Sequence, residues 1–152
     1  MEFIYKKLEQ NEISMCADTL MKAFKEEPWN EHWTFEQACT RLDELMSARV
    51  SRGYIVFDSE EKIVVGMVIG RVMTYISKKE LWLDEVSIHP DYQRKGIGTG
   101  MLEYVKRELN EEADEISNIV LTTMRGYPSV TFYEKNGFYT DENVIFMEGS
   151  AR

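Results

Sequence analysis

Apolar positions along this chain follow two periods, and the period changes mark out the elements. Ile13, Cys16, Ala17, Leu20 and Phe24 fall three and four apart, which predicts a first amphipathic helix closed by Pro28. Thr34 followed by Gln37 has the form of a capping box, placed ahead of Phe35, Ala38, Leu42, Leu45 and Met46 on one face of a second helix that ends before Gly53. Phe3 to Leu8 reads as a short first strand. Tyr54 to Asp58 and Lys62 to Met73, rich in β-branched residues and divided by Ser59-Glu60-Glu61, predict an antiparallel hairpin. Leu81 to Ile88 is a further strand, ended by His89-Pro90-Asp91, where the proline disfavours helix at His89. Ile97, Met101, Val105 and Leu109 mark a third helix. Ile116 to Met124 predicts a fifth strand, Ser129 to Asn136 a short helix and Asn143 to Met147 a last strand. The order β-α-α-β-β-β-α-β-α-β describes one mixed α/β domain around a largely antiparallel sheet.

Composition narrows the class without naming a function. The 152 residues suit one domain, and 18 basic against 27 acidic side chains leave a formal charge of −9. That balance argues against a general nucleic-acid binder, for which a basic face is expected. It is compatible with cationic small molecules or peptides. Cys16 and Cys39 form no C-x-x-C pair, and the N-terminus has no apolar stretch of signal-peptide length, so reduced thiols and a cytoplasmic setting are expected. The longest apolar run, Ile63 to Ile69, is too short to span a bilayer. His32 and His89 lie in no ligand-spaced cluster, so no metal is expected.

The candidate chemistry begins at Gln93-Arg94-Lys95-Gly96-Ile97-Gly98-Thr99-Gly100, between a strand and a helix. A strand that turns through glycines into a helix aims several backbone N–H groups at one point, with the positive end of the helix dipole behind them. Such a turn suits a phosphate, and Arg94 and Lys95 add cationic side chains. The run is not G-x-G-x-x-G, because its glycines are spaced two apart. Nor is it G-x-x-x-x-G-K-[ST], because its lysine precedes the glycines.

It does match Q/R-x-x-G-x-G/A, and a second segment, Phe132-Tyr133-Glu134-Lys135-Asn136-Gly137-Phe138, matches F-Y-E-K-x-G-F. With these two motifs in this order, the chain resembles the GNAT N-acetyltransferases, and more weakly their aminoglycoside 6'-N-acetyltransferase-like members. The resemblance implies a GNAT acyl-CoA N-acyltransferase fold over residues 1–148, with 149–152 a short tail. It implies acetyl-CoA as acyl donor and direct transfer to a primary amine of a small molecule or peptide. Neither nucleic acid nor membrane is implied as a partner, and a homodimer stays open. A non-catalytic acetyl-CoA-binding domain is the alternative from another class. A nucleotide-binding module follows from the loop alone.

Site residues come over position by position. Gln93, Arg94, Lys95, Gly96, Ile97, Gly98 and Thr99 would cradle the pyrophosphate, and Val86 and Ile88 would offer main-chain groups to the pantetheine arm. Tyr133 would protonate the leaving thiolate, a packed aromatic beside Phe132 being the other reading. Asp84 and Glu85 are the candidate bases. Adjacent strand residues point to opposite faces, so only one of them is expected to address the cleft. Asp84 shares parity with Val86 and Ile88, and a bulge would reverse that assignment. His89 reads as an exposed turn residue. Trp29, Glu31 and Trp33, in a segment with Glu26 and Glu27, are candidates for the acceptor side through ion pairing and cation–π contact, or for capping the core. The family often has asparagine shortly before F-Y-E-K. Here Gly126 stands near that position, and Arg125 or a backbone group would replace it.

Overall fold

The computed structural model describes residues 2–112 and 116–152. They group into two compact units, Met1–Leu121 and Thr122–Arg152. The first holds five strands in the order β1 (Phe3–Lys7), β2 (Ser51–Asp58), β3 (Ile63–Tyr75), β4 (Lys78–Ile88) and β5 (Ile116–Val120). Neighbours from β1 to β4 pair antiparallel, and β5 pairs parallel to β4. The expected hairpin over β2 and β3 forms, and its apolar runs become the most deeply buried part of the sheet.

Helices cover both faces of this sheet. The apolar faces of α1 (Ile13–Lys25) and α2 (Phe35–Leu45) join Ile55, Met67 and Ile69 in one core in which Leu20, Leu42, Cys16 and Ala38 have no exposed surface. Thr34 starts α2 as predicted: its hydroxyl accepts from the Gln37 amide at 3.1 Å, and the Gln37 side chain accepts the Thr34 amide at 3.0 Å. Phe35 leaves the predicted apolar face and is half exposed. Thr19 sits on the buried face of α1, where its hydroxyl bonds the Val64 carbonyl of β3. On the opposite face of the sheet lies α3 (Ile97–Asn110), whose Met101 sulfur approaches Gly66 of β3. Gly100 of α3 lies close against the Tyr5 phenol, which an added Cβ would displace.

The second unit contains α4 (Pro128–Lys135), which begins with proline at its first turn, where no intrahelical N–H is required. Its end is a Schellman motif. Gly137 takes φ +89°, its amide donates to the Glu134 carbonyl at 3.1 Å, and the Phe138 amide reaches back to the Tyr133 carbonyl at 3.0 Å. The apolar contact that accompanies such caps is made by the Tyr133 and Phe138 rings, 5.4 Å apart.

Two expectations fail here. Asn143–Met147 forms no strand. Strand propensity is realised only against a pairing partner, and the local bonds at this point are turn-like: Asp141 accepts the Asn143 amide through Oδ1 and the Val144 amide through its carbonyl. Val144, Ile145, Phe146 and Met147 are 68–79% exposed. The strand predicted to reach Met124 stops at Val120.

Gly70 pairs with Leu83, and a Cβ there would collide with the Trp82 carbonyl, a backbone atom that cannot rotate away. Gly70→Ala is therefore expected to cost about 1–3 kcal/mol or more, read as a lowered urea midpoint at constant m-value. An unchanged midpoint would contradict this packing.

Candidate active site

The site is organised by the second half of β4. Pairing with β5 covers only Lys79 to Trp82, so from Leu83 to Ile88 that edge of β4 faces no strand among the described residues. The His89 amide donates to the Val65 carbonyl at 2.8 Å, which fixes the phase of the ladder with β3. By alternation Ser87 and Glu85 spend their backbone groups on β3, while those of Val86 and Ile88 point to the open edge. One of these is already engaged, since the Gln93 side-chain amide donates to the Ile88 carbonyl at 3.1 Å.

The chain leaves β4 through a single 3₁₀ turn, Pro90–Tyr92, capped by His89, whose Nδ1 accepts the Asp91 amide at 3.1 Å. His89 is buried, not the exposed turn residue expected, because its ring packs edge-on against Tyr92. Burial first and the Lys22 charge second hold its pKa below the ordinary histidine value. Arg94 then takes φ +62° and Gly96 φ +79°. Alternating left-handed residues turn successive amides inward, the geometry of an anion nest. Gly96 is the N-cap of α3 and offers no side-chain cap, so the amides of Ile97, Gly98 and Thr99 precede the first helical bond, from the Gly100 amide to the Gly96 carbonyl. At Gly96 the requirement is backbone conformation, since an added Cβ would meet nothing within 4 Å. Gln93 to Gly96 are exposed, and Lys95 Nζ lies 5.4 Å from the Tyr92 ring centroid.

Asp84 and Glu85 correct the parity expectation. In the β3–β4 ladder Ile69 pairs with Glu85 and Gly70 with Leu83, so Asp84 is the extra residue of a β-bulge. Asp84 forms a two-bond ion pair with Arg71, Nε to Oδ2 at 2.7 Å and Nη2 to Oδ1 at 2.8 Å. Ile69 and Arg71 lie on one face of β3, so the bulge turns both carboxylates toward the face covered by α1 and α2. Glu85 Oε2 accepts from Arg41 Nε at 3.0 Å. Its carboxyl is almost wholly buried, and that desolvation pushes its pKa above the ordinary carboxylate value. The bond and charge of Arg41 pull it back down, while the Glu31 charge pushes it up.

The proposed acceptor residues separate. Glu31 Oε1 accepts from the Trp33 indole at 2.9 Å, and the Arg41 guanidinium lies 5.9 Å from the Trp33 ring centroid, so Glu31, Trp33, Arg41 and Glu85 form one polar group. Beside it an open depression of about 560 Å³ runs along α2, lined by Trp33, Gln37, Thr40, Arg41 and Glu44 among others. Trp29 instead packs edge-on against Phe24, with ring centroids 5.2 Å apart. Tyr133 belongs to the second unit, half buried on α4 between the Phe132 and Phe138 rings. Gly126 takes φ +81° in the turn ahead of α4, a backbone role that asparagine can also fill.

Arg41 and Arg71 were not singled out from sequence. Each is an ordinary charge on a helix or strand, and its partner lies 44 or 13 residues away. Arg41→Gln is expected to lower stability by about 1–3 kcal/mol at pH 8, below the full cost of breaking a buried pair because Arg41 is partly exposed. The sign follows from Glu85. A raised carboxylate pKa loses stability as pH rises from the unfolded value to the folded one, and removing Arg41 widens that window. Below about pH 4, where Glu85 is protonated in both states, the deficit should shrink. Urea melts at the two pH values check this, and an equal deficit at both would assign Arg41 to packing alone.

With the geometry established, comparison with known proteins defines the kinship. The model of the acetyltransferase (GNAT) family matches residues 14–138. A possible acetyltransferase from Clostridium difficile 630 superposes with a TM-score of 0.81 at 14% identity, covering 100% of both chains. AAC(6')-Iy, solved with the bisubstrate analogue CoA-S-monomethyl-acetylneamine, gives 0.75 at 13% identity over 99% of this chain and 100% of its own. Among curated proteins, UPF0157 protein YqkA of Bacillus subtilis (strain 168) is 33% identical over 84 residues, or 55% of this chain, and the match spans only 24% of that relative's length. At these identities the structural likenesses establish the fold, while the family match extends over most of the sequence: this chain belongs to the GNAT acetyltransferase family.

Proposed function

We propose that the protein transfers the acetyl group of acetyl-CoA directly to a primary amine of a small molecule or peptide, within one ternary complex. The observation that carries this reading is the continuity of two binding features: the open edge of β4, with the backbone groups of Val86 and Ile88 turned outward, runs within a few residues into the uncapped amides of the 93–99 loop. An extended pantetheine arm can continue the sheet along that edge while its diphosphate meets the amides and the positive end of α3. The residues present fit acetyl-CoA: Gly96 leaves its approach free of side chain, and Arg94 and Lys95 supply charge. The bisubstrate analogue held by AAC(6')-Iy, which joins CoA to an acetylneamine, supports an amino sugar, polyamine or similar amine as acceptor.

In this reading the amine nitrogen attacks the thioester carbon and the carbon–sulfur bond breaks. Glu85 takes the amine proton, and Tyr133 gives its phenolic proton to the departing thiolate sulfur. A raised pKa suits Glu85 to the base role, and Asp84, tied twice to Arg71, serves to hold the bulge. Free Cys16 and Cys39 suit a reducing, cytoplasmic setting.

Screening CoA release across aminoglycosides, polyamines, amino acids and N-terminal peptides tests the activity. Stabilisation by millimolar acetyl-CoA with no turnover on any amine would favour a binding domain without catalysis. Tyr133→Phe is expected to lower kcat by about 10²-fold or more with acetyl-CoA affinity nearly intact, and full turnover would remove Tyr133 from the mechanism. Glu85→Gln is expected to abolish the acid limb of the kcat/KM profile, a limb that lies above the ordinary carboxylate range in the parent enzyme. A profile unchanged by that substitution would exclude Glu85 as the base.

A further inference from the structure

The 93–99 loop is fastened from outside the site by one buried pair. Tyr92 closes the turn that feeds the loop, and its hydroxyl donates to Asp58 Oδ2 at 2.8 Å. Asp58, the last residue of β2, has no exposed surface, and its other oxygen accepts the Glu60 and Glu61 amides at 3.0 and 3.2 Å. A single carboxylate thus ties the β2–β3 hairpin turn to the segment that precedes the glycines, 34 residues away. The Tyr92 ring is fixed as well, edge-on to Phe3 at 5.9 Å and to His89 at 5.4 Å between centroids. Lys95, from within the loop, rests its ammonium over the same ring.

Burial alone would raise the Asp58 pKa. The Tyr92 hydroxyl and the two backbone amides outweigh it and hold the carboxyl below its ordinary value. The hydrogen bond to Asp58, then burial, pushes the Tyr92 hydroxyl up to about 12, so it remains a donor through the neutral range. The loop downstream asks for such an anchor. Arg94 occupies the left-handed region with a full side chain, a conformation that persists only where its surroundings impose it.

We propose that Asp58 and Tyr92 are a positioning pair for the diphosphate-binding loop: they hold Gln93–Gly96 in its binding conformation before any ligand arrives. The inference rests on the reading of residues 93–99 as the CoA diphosphate cradle. Neither residue touches the ligand, and their effect passes through the loop backbone and the placement of Lys95. A preorganised loop binds more tightly because the ordering cost is met during folding. The pair should therefore govern affinity for the diphosphate and leave the acyl-transfer step alone.

The test uses the full chain and two donors, CoA (or acetyl-CoA) and S-acetyl-pantetheine, which lacks the diphosphate. Tyr92→Phe and Asp58→Asn are each expected to raise the calorimetric Kd for CoA about tenfold, the loss of one hydrogen bond to a charged group. The double variant should be no weaker than the singles. Turnover at saturating acetyl-CoA, and at subsaturating S-acetyl-pantetheine, should stay within about twofold of the parent. A lowered Tm with unchanged CoA affinity would make the pair merely structural, and equal losses with both donors would indicate general loosening. Either result overturns the proposal. If Tyr92→Phe fails to fold, Asp58→Asn, which keeps the size of the side chain but removes its charge and one acceptor oxygen, carries the same comparison. A parent chain with no affinity for CoA would overturn the cradle reading and this inference together. A parent that binds CoA and variants that bind it equally would overturn this inference alone.

Discussion

One extra residue in β4 is the constraint on which the site depends. Without the bulge at Asp84, strict alternation would send Asp84 and Glu85 to opposite faces of a sheet covered on both sides. One carboxylate would then leave the face that carries Arg41 and Arg71, the guanidinium groups that meet both acids. The bulge removes that conflict by turning both acids to one face. It sits just past Trp82, the last β4 residue paired with β5, so the strand changes face where it also loses a neighbour. Both carboxylates on the side covered by α1 and α2, and the start of the edge without a β5 partner, therefore meet at one irregularity.

The electrostatic arrangement around the bulge is nearly neutral, although the protein as a whole is strongly acidic. Asp84 and Glu85 each meet an arginine, and those guanidinium groups are themselves partly exposed. Arg41 is engaged on two sides, by the Glu85 carboxylate and by the Trp33 ring, whose indole N–H is held by Glu31. Under the proposed reading, an incoming ammonium would meet Asp84 and Glu85 already paired with arginines. Glu31 differs from the two strand carboxylates, because the group that holds it, the Trp33 indole N–H, is neutral. In that reading Arg41 stands between the Glu85 carboxylate and the Trp33 ring, two groups that would otherwise face a cation directly.

How far the sequence could be read depended on the range of the interaction responsible. The faces of α1 and α2, the Thr34–Gln37 capping box and the β2–β3 hairpin were legible because each is set within a few residues. The glycine run was legible for the same reason, as turn chemistry joined to a helix start. The bulge was foreseen only as a condition, because a bulge is a mismatch between two strands and shows in neither alone. The partners Arg41–Glu85, Arg71–Asp84 and Tyr92–Asp58 join residues far apart in sequence, and no local pattern marks them. The apolar run at Asn143–Met147 was misread because strand propensity measures fitness for a neighbour and cannot supply one.

The alternation along the open edge of β4 has a consequence for how the molecule reports on itself. Glu85 and Ser87 commit their amides to β3, while Val86 and Ile88 turn theirs outward, so neighbouring residues on one strand fall into two classes of hydrogen exchange. The outward pair should exchange quickly in the free protein and the inward pair slowly, although all four belong to one strand. Four consecutive residues thus carry their own internal standard, in which protection gained by Val86 and Ile88 marks occupancy of the edge and protection lost by Glu85 and Ser87 marks opening of the sheet.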